Sequence, residues 1–160
     1  MASGLTADLP MSTRVAANSA VAGSPTTRTV SPALGKVLIA EDNAINQRVV
    51  AIMLSRLGYS TDVASEGSVV LEMLQKQHYD LVLMDCQMPG MDGYEATKAI
   101  RALPSEVSKI PIIAVTANAL SGQRERCLDV GMNDYISKPM QIELLASTLR
   151  KYLASVPNVK

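Results

Sequence analysis

From Lys36 onward the chain alternates short apolar runs with longer stretches whose apolar positions recur every three or four residues. The short runs suit buried strands and the longer period suits amphipathic helices, so the pattern predicts repeated βα units. Val37-Leu38-Ile39-Ala40 is the first strand. A helix follows with Ile45, Val49, Ile52, Met53 and Leu57 on its inward face, and Gly58 suits its C-terminal cap. A second strand, about Ser60 to Ala64, leads to Ser65 as an N-cap and to a helix with Val69, Val70, Met73 and Leu74 inward. Leu81-Val82-Leu83-Met84 is apolar on both faces, as a central parallel strand must be, and ends at Asp85. Turn residues then precede a helix from Tyr94 to about Ala102, and Ile112 to Val115 forms a fourth buried strand ending at Thr116. A helix from about Ser121 to Val130 stops at Gly131, Tyr135-Ile136 is a short fifth strand, and Ile142, Leu145, Leu149 and Tyr152 face inward on a last helix.

Five βα units with right-handed crossovers make an α/β fold, a doubly wound five-stranded parallel sheet. Ligands of such sheets sit at the carboxyl ends of the strands, near the switch in strand order. Residues 1–33 lack apolar periodicity and carry Pro10, Pro25 and Pro32, so they read as a disordered tail or linker before a domain over 34–156. Asp8 and the lack of an amphipathic stripe set this tail apart from a transit peptide.

Fifteen basic residues balance fifteen acidic ones without a basic cluster, which argues against a nucleic-acid ligand. No apolar run is long enough to span a bilayer. Cys86 and Cys127 lack metal-type spacing and read as reduced packing thiols, which points to the cytoplasm.

The chemistry lies in what occupies the strand ends: Glu41 and Asp42 after the first strand, Asp85 after the third, Thr116 after the fourth and Lys138 after the fifth. Three crowded carboxylates repel one another unless a cation compensates, and hard oxygen ligands that leave room for a phosphate select magnesium. Thr116 offers a hydroxyl and Lys138 a compact positive charge, which with the metal could neutralise a phosphoryl group in flight. Asp85, between the acid pair and the Thr116–Lys138 side, is the best placed nucleophile.

The segments Val37-Leu38-Ile39-Ala40-Glu41-Asp42-Asn43, Met84-Asp85-Cys86-Gln87-Met88-Pro89-Gly90-Met91-Asp92-Gly93, Ala114-Val115-Thr116-Ala117 and Ser137-Lys138-Pro139 resemble response-regulator receiver domains of two-component systems. The resemblance runs from about Lys36 to Leu153 and extends, through Asn43-Ala44-Ile45-Asn46-Gln47, to receivers of hybrid sensor histidine kinases. It implies a flavodoxin-like fold with Asp85 as phosphoacceptor. It also implies that Asp42, Asp85 and the Gln87 backbone carbonyl hold Mg2+, with Glu41 acting through a water. Thr116 and Lys138 would contact the phosphoryl group, Thr116 and Tyr135 would form the switch, and the Lys138–Pro139 bond would be cis. The implied partners are a sensor histidine kinase or a histidine phosphotransfer domain, and a downstream protein effector. Phosphorylation would favour a dimer through the fourth- and fifth-helix face. Such a domain promotes only its own phosphorylation and dephosphorylation, and it acts through another polypeptide or as a part of a longer kinase.

Several residues have plainer readings. Asp92-Gly93 fits a turn and helix cap, His78 the surface, and the scattered methionines core filling. Two other functions compete with the receiver. A magnesium-dependent aspartyl-phosphate hydrolase would need a second acid near Asp85 and a substrate cap, but Cys86-Gln87 follows and every connection is short. A phosphate-independent interaction module would need none of the acids, Thr116 or Lys138 intact.

Overall fold

The computed structural model describes residues 34–117 and 121–153. The tail expected over residues 1–33 lies outside the described residues. Strands β1 (Lys36–Ala40), β2 (Ser60–Ala64), β3 (Leu81–Asp85), β4 (Ile112–Thr116) and β5 (Asp134–Ser137) form one sheet in the order β2-β1-β3-β4-β5. All four neighbouring pairs are parallel. The helices are α1 (Ala44–Arg56), α2 (Gly67–Lys76), α3 (Gly93–Arg101), α4 (Ser121–Asp129) and α5 (Ile142–Leu153). A short 3-10 turn over Glu106–Lys109, for which the sequence pattern carries no signal, precedes β4.

Side chains that alternate along the strands feed two cores. Leu38, Val82, Met84, Ile112 and Ala114 pack with Val70, Leu74, Ala96 and Ile100 of α2 and α3 on one face. Val37, Ile39, Leu83, Ile113, Val115 and Ile136 pack with Val50 and Leu54 of α1 and Leu145, Leu149 and Leu153 of α5 on the other. All five residues of β3 and of β4 are buried, as expected of central parallel strands. Each fully buried Leu or Ile contributes about 1.5–3 kcal/mol. Glycines with positive φ stop two helices: Gly58 (φ 98°) after α1 and Gly131 (φ 108°) after α4.

Two local expectations need correction. The face of α1 expected inward is largely turned outward: Ile45 is 73%, Val49 43% and Ile52 50% exposed. Val50 and Leu54 are the buried residues there, with Met53 and Leu57 half-buried beside them. Ser65 does not cap α2; Glu66 is the N-cap residue, without a side-chain cap bond, and its Oε1 accepts from Ser68 Oγ at 2.9 Å. Asp92 does cap α3, in a reciprocal capping box with Glu95.

Candidate functional site

The strand order reverses at β1, whose neighbours are β2 and β3, so a crevice opens above the carboxyl ends of β1 and β3. Glu41 and Asp42 follow β1 and Asp85 ends β3. Each offers a carboxylate oxygen, and the three oxygens lie within 4.8 Å of one another. Glu41 and Asp85 are 4% exposed, whereas Asp42 is open to solvent. Lys138 leans over the pair from beyond β5, its Nζ 3.2 Å from Asp85 Oδ2 and 3.3 Å from Glu41 Oε1. Its backbone N–H donates to the Thr116 carbonyl at 2.8 Å, and its bond to Pro139 is cis.

One ammonium against three carboxylates leaves two negative charges, which a divalent cation would neutralise. The donors are all hard oxygens, the set that magnesium and calcium prefer. The expected magnesium chemistry therefore fits the residues present. Asp42, Gln87 and Thr116 line a shared cleft of about 530 Å³ with Tyr94, Gln123 and Arg126, which leaves room for a phosphoryl group. Asp85 Oδ1 accepts from the Gln87 N–H at 3.0 Å. Tyr135 stands apart, half-buried in a separate groove with Asp134 and Leu144, with the Arg124 guanidinium 6.0 Å from its ring centre.

Burial lowers the affinity of Lys138 for its proton, but the Asp85 and Glu41 charges outweigh it and hold its pKa above the ordinary value. A folded-state pKa above the unfolded one contributes stability below about pH 10.4, lost as pH rises through the folded value. Lys138→Met should therefore lower the Tm of the metal-free protein at neutral pH. Its difference from wild type should shrink above about pH 10.4. Thermal melts in a chelator across pH 7–11.5 check this, and a constant difference would remove the pairing from the account. Burial also pushes the Cys86 thiol up to about 12, so it stays protonated at neutral pH and is a poor nucleophile. Cys86 and Cys127 are free and buried, Sγ to Sγ 3.9 Å. His78 is exposed and pairs with Asp80 at 2.9 Å, away from the acids.

Three supporting residues, Asn46, Gln47 and Gly93, escaped the sequence reading. Glu41 Oε2 accepts from the Asn43 N–H at 3.2 Å and from Asn46 Nδ2 at 3.4 Å, and the Glu41 carbonyl accepts from Gln47 Nε2 at 2.6 Å. Gly93 packs so closely that a Cβ there would collide with the Asp85 carbonyl oxygen. No residue pattern marks the Asn46 and Gln47 bonds, which depend on how the chain turns from β1 into α1.

A flavodoxin-like sheet with acids and a lysine at its reversal point defines a class of two-component signalling domains. The chain belongs to the response regulator receiver domain family, whose sequence model matches residues 37–150. It is 48% identical over 120 residues to hybrid signal transduction histidine kinase K of Dictyostelium discoideum, covering 71% of this chain and 10% of that protein. It is 42% identical over 120 residues to the sensor histidine kinase RcsC of Escherichia coli, covering 75% and 12%. The chain thus spans about a tenth of the length of these relatives. A receiver domain of a Pseudomonas aeruginosa sensor histidine kinase, with magnesium coordinated in its active-site cleft, superposes with a TM-score of 0.70 at 44% identity. That match covers 76% of this chain and 98% of the other. The receiver domain of Ssk1 of Saccharomyces cerevisiae, crystallised with the histidine phosphotransfer protein Ypd1, has a TM-score of 0.69 at 28% identity, covering 79% and 92%. No helix among the described residues is long and apolar enough to cross a membrane.

Proposed function

We propose that residues 34–156 form a phosphoacceptor receiver domain in which Asp85 takes a phosphoryl group from a partner's phosphohistidine. The observation that carries this reading is the meeting of Glu41, Asp42 and Asp85 under the Lys138 ammonium, beside a cleft that Thr116 and Gln87 line. Asp42, Asp85 and the Gln87 carbonyl would hold Mg2+, with Glu41 acting through a water. Bound there, the ion supplies positive charge to the phosphoryl oxygens. An Asp85 carboxylate oxygen attacks phosphorus, the P–N bond breaks, and the imidazole leaves as its nitrogen takes up a proton. Lys138 holds Asp85 in place before transfer and neutralises charge during it. Thr116 then turns its hydroxyl toward the phosphoryl oxygens, and Tyr135 follows into the space this opens. The changed face of α4, β5 and α5 biases an effector or a second copy of the domain. The domain catalyses only its own modification.

The outward stripe of Ile45, Val49 and Ile52 supports a helical partner. These residues recur along one side of α1, and Val49 among them lines a small groove with Pro139, Met140, Glu41 and Lys138. An apolar surface beside the acids suits the apolar face of a partner helix, here a histidine phosphotransfer protein, the kind of protein with which the yeast neighbour was crystallised.

The test compares two donors, a small acyl phosphate and a phosphorylated histidine phosphotransfer protein, with intact-mass measurement of the product. Wild type should gain one base-labile phosphoryl group from either donor, and none when the metal is chelated. Ile45→Asp should keep the acyl phosphate reaction and lose at least about tenfold in rate with the protein donor, the effect of roughly 1.4 kcal/mol at a contact. No gain by wild type from either donor would leave a phosphate-independent interaction module as the better account.

A further inference from the structure

The start of α1 holds more polar donors than its own capping needs. Asn43 caps the helix, its Oδ1 accepting from the Ile45 and Asn46 N–H groups at 2.9 and 3.0 Å. A helix N-terminus has a surplus of N–H donors, so further side-chain amide donors there do nothing for the helix. Asn46 and Gln47 nevertheless both turn an amide NH2 back toward the same residue, Glu41. Their acceptors are a carboxylate and a carbonyl, to which only the nitrogen end of an amide can bond.

Each bond fixes a different part of the acid cluster. Glu41 lies one residue beyond β1, where its N–H still donates to the Ala64 carbonyl at 3.0 Å. Its own carbonyl is held by Gln47 Nε2 at 2.6 Å, the shortest of the bonds around Glu41. That bond orients the peptide plane joining Glu41 to Asp42, and so sets the direction in which Asp42 leaves the backbone. Asp42 is solvent-exposed, so packing does little to place it. Asn46 acts on the Glu41 carboxylate: Lys138 takes Oε1, while the Asn43 N–H and Asn46 Nδ2 take Oε2.

We propose that Gln47 and Asn46 are positioning residues of the magnesium site, Gln47 through the Glu41 carbonyl and Asn46 through the Glu41 carboxylate. This rests on the reading of Glu41, Asp42 and Asp85 as the metal-holding acids. Hydrogen-bond partners one shell out from a metal's ligands set the ligands' direction, and their loss costs about 10–100-fold in metal affinity. Gln47 controls a backbone plane and makes the shorter bond, so its effect should be the larger.

The experiment measures the magnesium Kd by titration calorimetry, and the Tm both in a chelator and in saturating magnesium. It uses wild type, Gln47→Met, Asn46→Ala and Gln75→Met. Gln75 is the control, because its Nε2 also donates to a backbone carbonyl, that of Leu71 at 3.2 Å, but from an exposed position on α2 away from the acids. Gln47→Met should raise the Kd about tenfold and Asn46→Ala by a smaller factor. Both should keep the wild-type Tm in chelator and lose part of the magnesium-induced rise in Tm. Gln75→Met should match wild type in affinity. Wild-type affinity in both site variants would overturn the proposal, and so would an affinity loss matched by a fall in chelator Tm in both. Failure of wild type itself to bind magnesium would overturn the underlying site reading instead.

Discussion

Asp85→Asn is expected to take up no phosphoryl group from an acyl phosphate or a phosphohistidine partner, with or without magnesium, while remaining folded. The substitution keeps the shape of the side chain and removes the nucleophile, since an amide oxygen carries no full negative charge to direct at phosphorus. The local structure accommodates it. The Gln87 N–H can still donate to the oxygen at the Oδ1 position, and Lys138 keeps Glu41 at 3.3 Å as an ionic partner. Removing one of three crowded carboxylates also relieves repulsion, so the metal-free variant should melt at or above the wild-type temperature. Its magnesium affinity should fall, because one of the carboxylates proposed to hold the ion is gone. Loss of phosphorylation with the Tm retained is the result that assigns the acceptor. Equal uptake by the variant would move the acceptor to another group. Asp42 is the first alternative, since it lines the same cleft and is more open to solvent.

The sheet and the meeting of acids and lysine at its rim could be read from the sequence because both rest on short, strong signals. Apolar runs such as Leu81 to Met84 are long enough to be strands and too short to be helices, and the residue that ends each run falls at the rim of the sheet. Once five strands alternate with helices, the rim collects Glu41, Asp42, Asp85, Thr116 and Lys138 without any knowledge of distances. The face of α1 was misread for a physical reason. Its apolar residues cover two adjoining sides, and periodicity cannot tell a side that meets the sheet from one that faces solvent. The same ambiguity explains why the error is informative: the residues wrongly placed inside, Ile45, Val49 and Ile52, are those that form the exposed stripe. Ser65 was a reasonable cap by residue type, but the helix begins one residue later, as termini often do. The bonds from Asn46 and Gln47 to Glu41 were not legible, because they depend on how the chain turns between β1 and α1 rather than on a residue pattern.

The role of Gly93 was likewise hidden, and its substitution should have a large effect on both stability and the site. In the sequence, Asp92-Gly93 reads as a turn and a cap, and the cap is real. That reading does not explain the glycine, because the first residue of a helix tolerates most side chains. The explanation is tertiary. A Cβ on Gly93 would overlap the Asp85 carbonyl oxygen and lie 3.0 Å from both the Cys86 Cα and the Met84 Cγ. Two of these three neighbours are backbone at the end of β3, which the β4 ladder holds through the Cys86 N–H to Val115 carbonyl bond at 3.1 Å. The clash cannot be relieved by turning a flexible side chain, so either α3 retreats or the Asp85 backbone moves. Backbone shifts of this kind cost about 1–3 kcal/mol. At this domain size Gly93→Ala should lower the Tm by roughly 4–12 °C. If the strand end yields, Asp85 is displaced from Lys138 and the other acids, and magnesium affinity should fall with stability. Gly122→Ala is the matching control, because nothing lies within 4 Å of its added Cβ and it sits in α4. There the lost freedom of the unfolded chain should raise stability by about 0.4–1 kcal/mol. A Gly93→Ala protein that melts with wild type and binds magnesium equally well would show that α3 moves away at little cost. The close contact with Asp85 would then be incidental to the site.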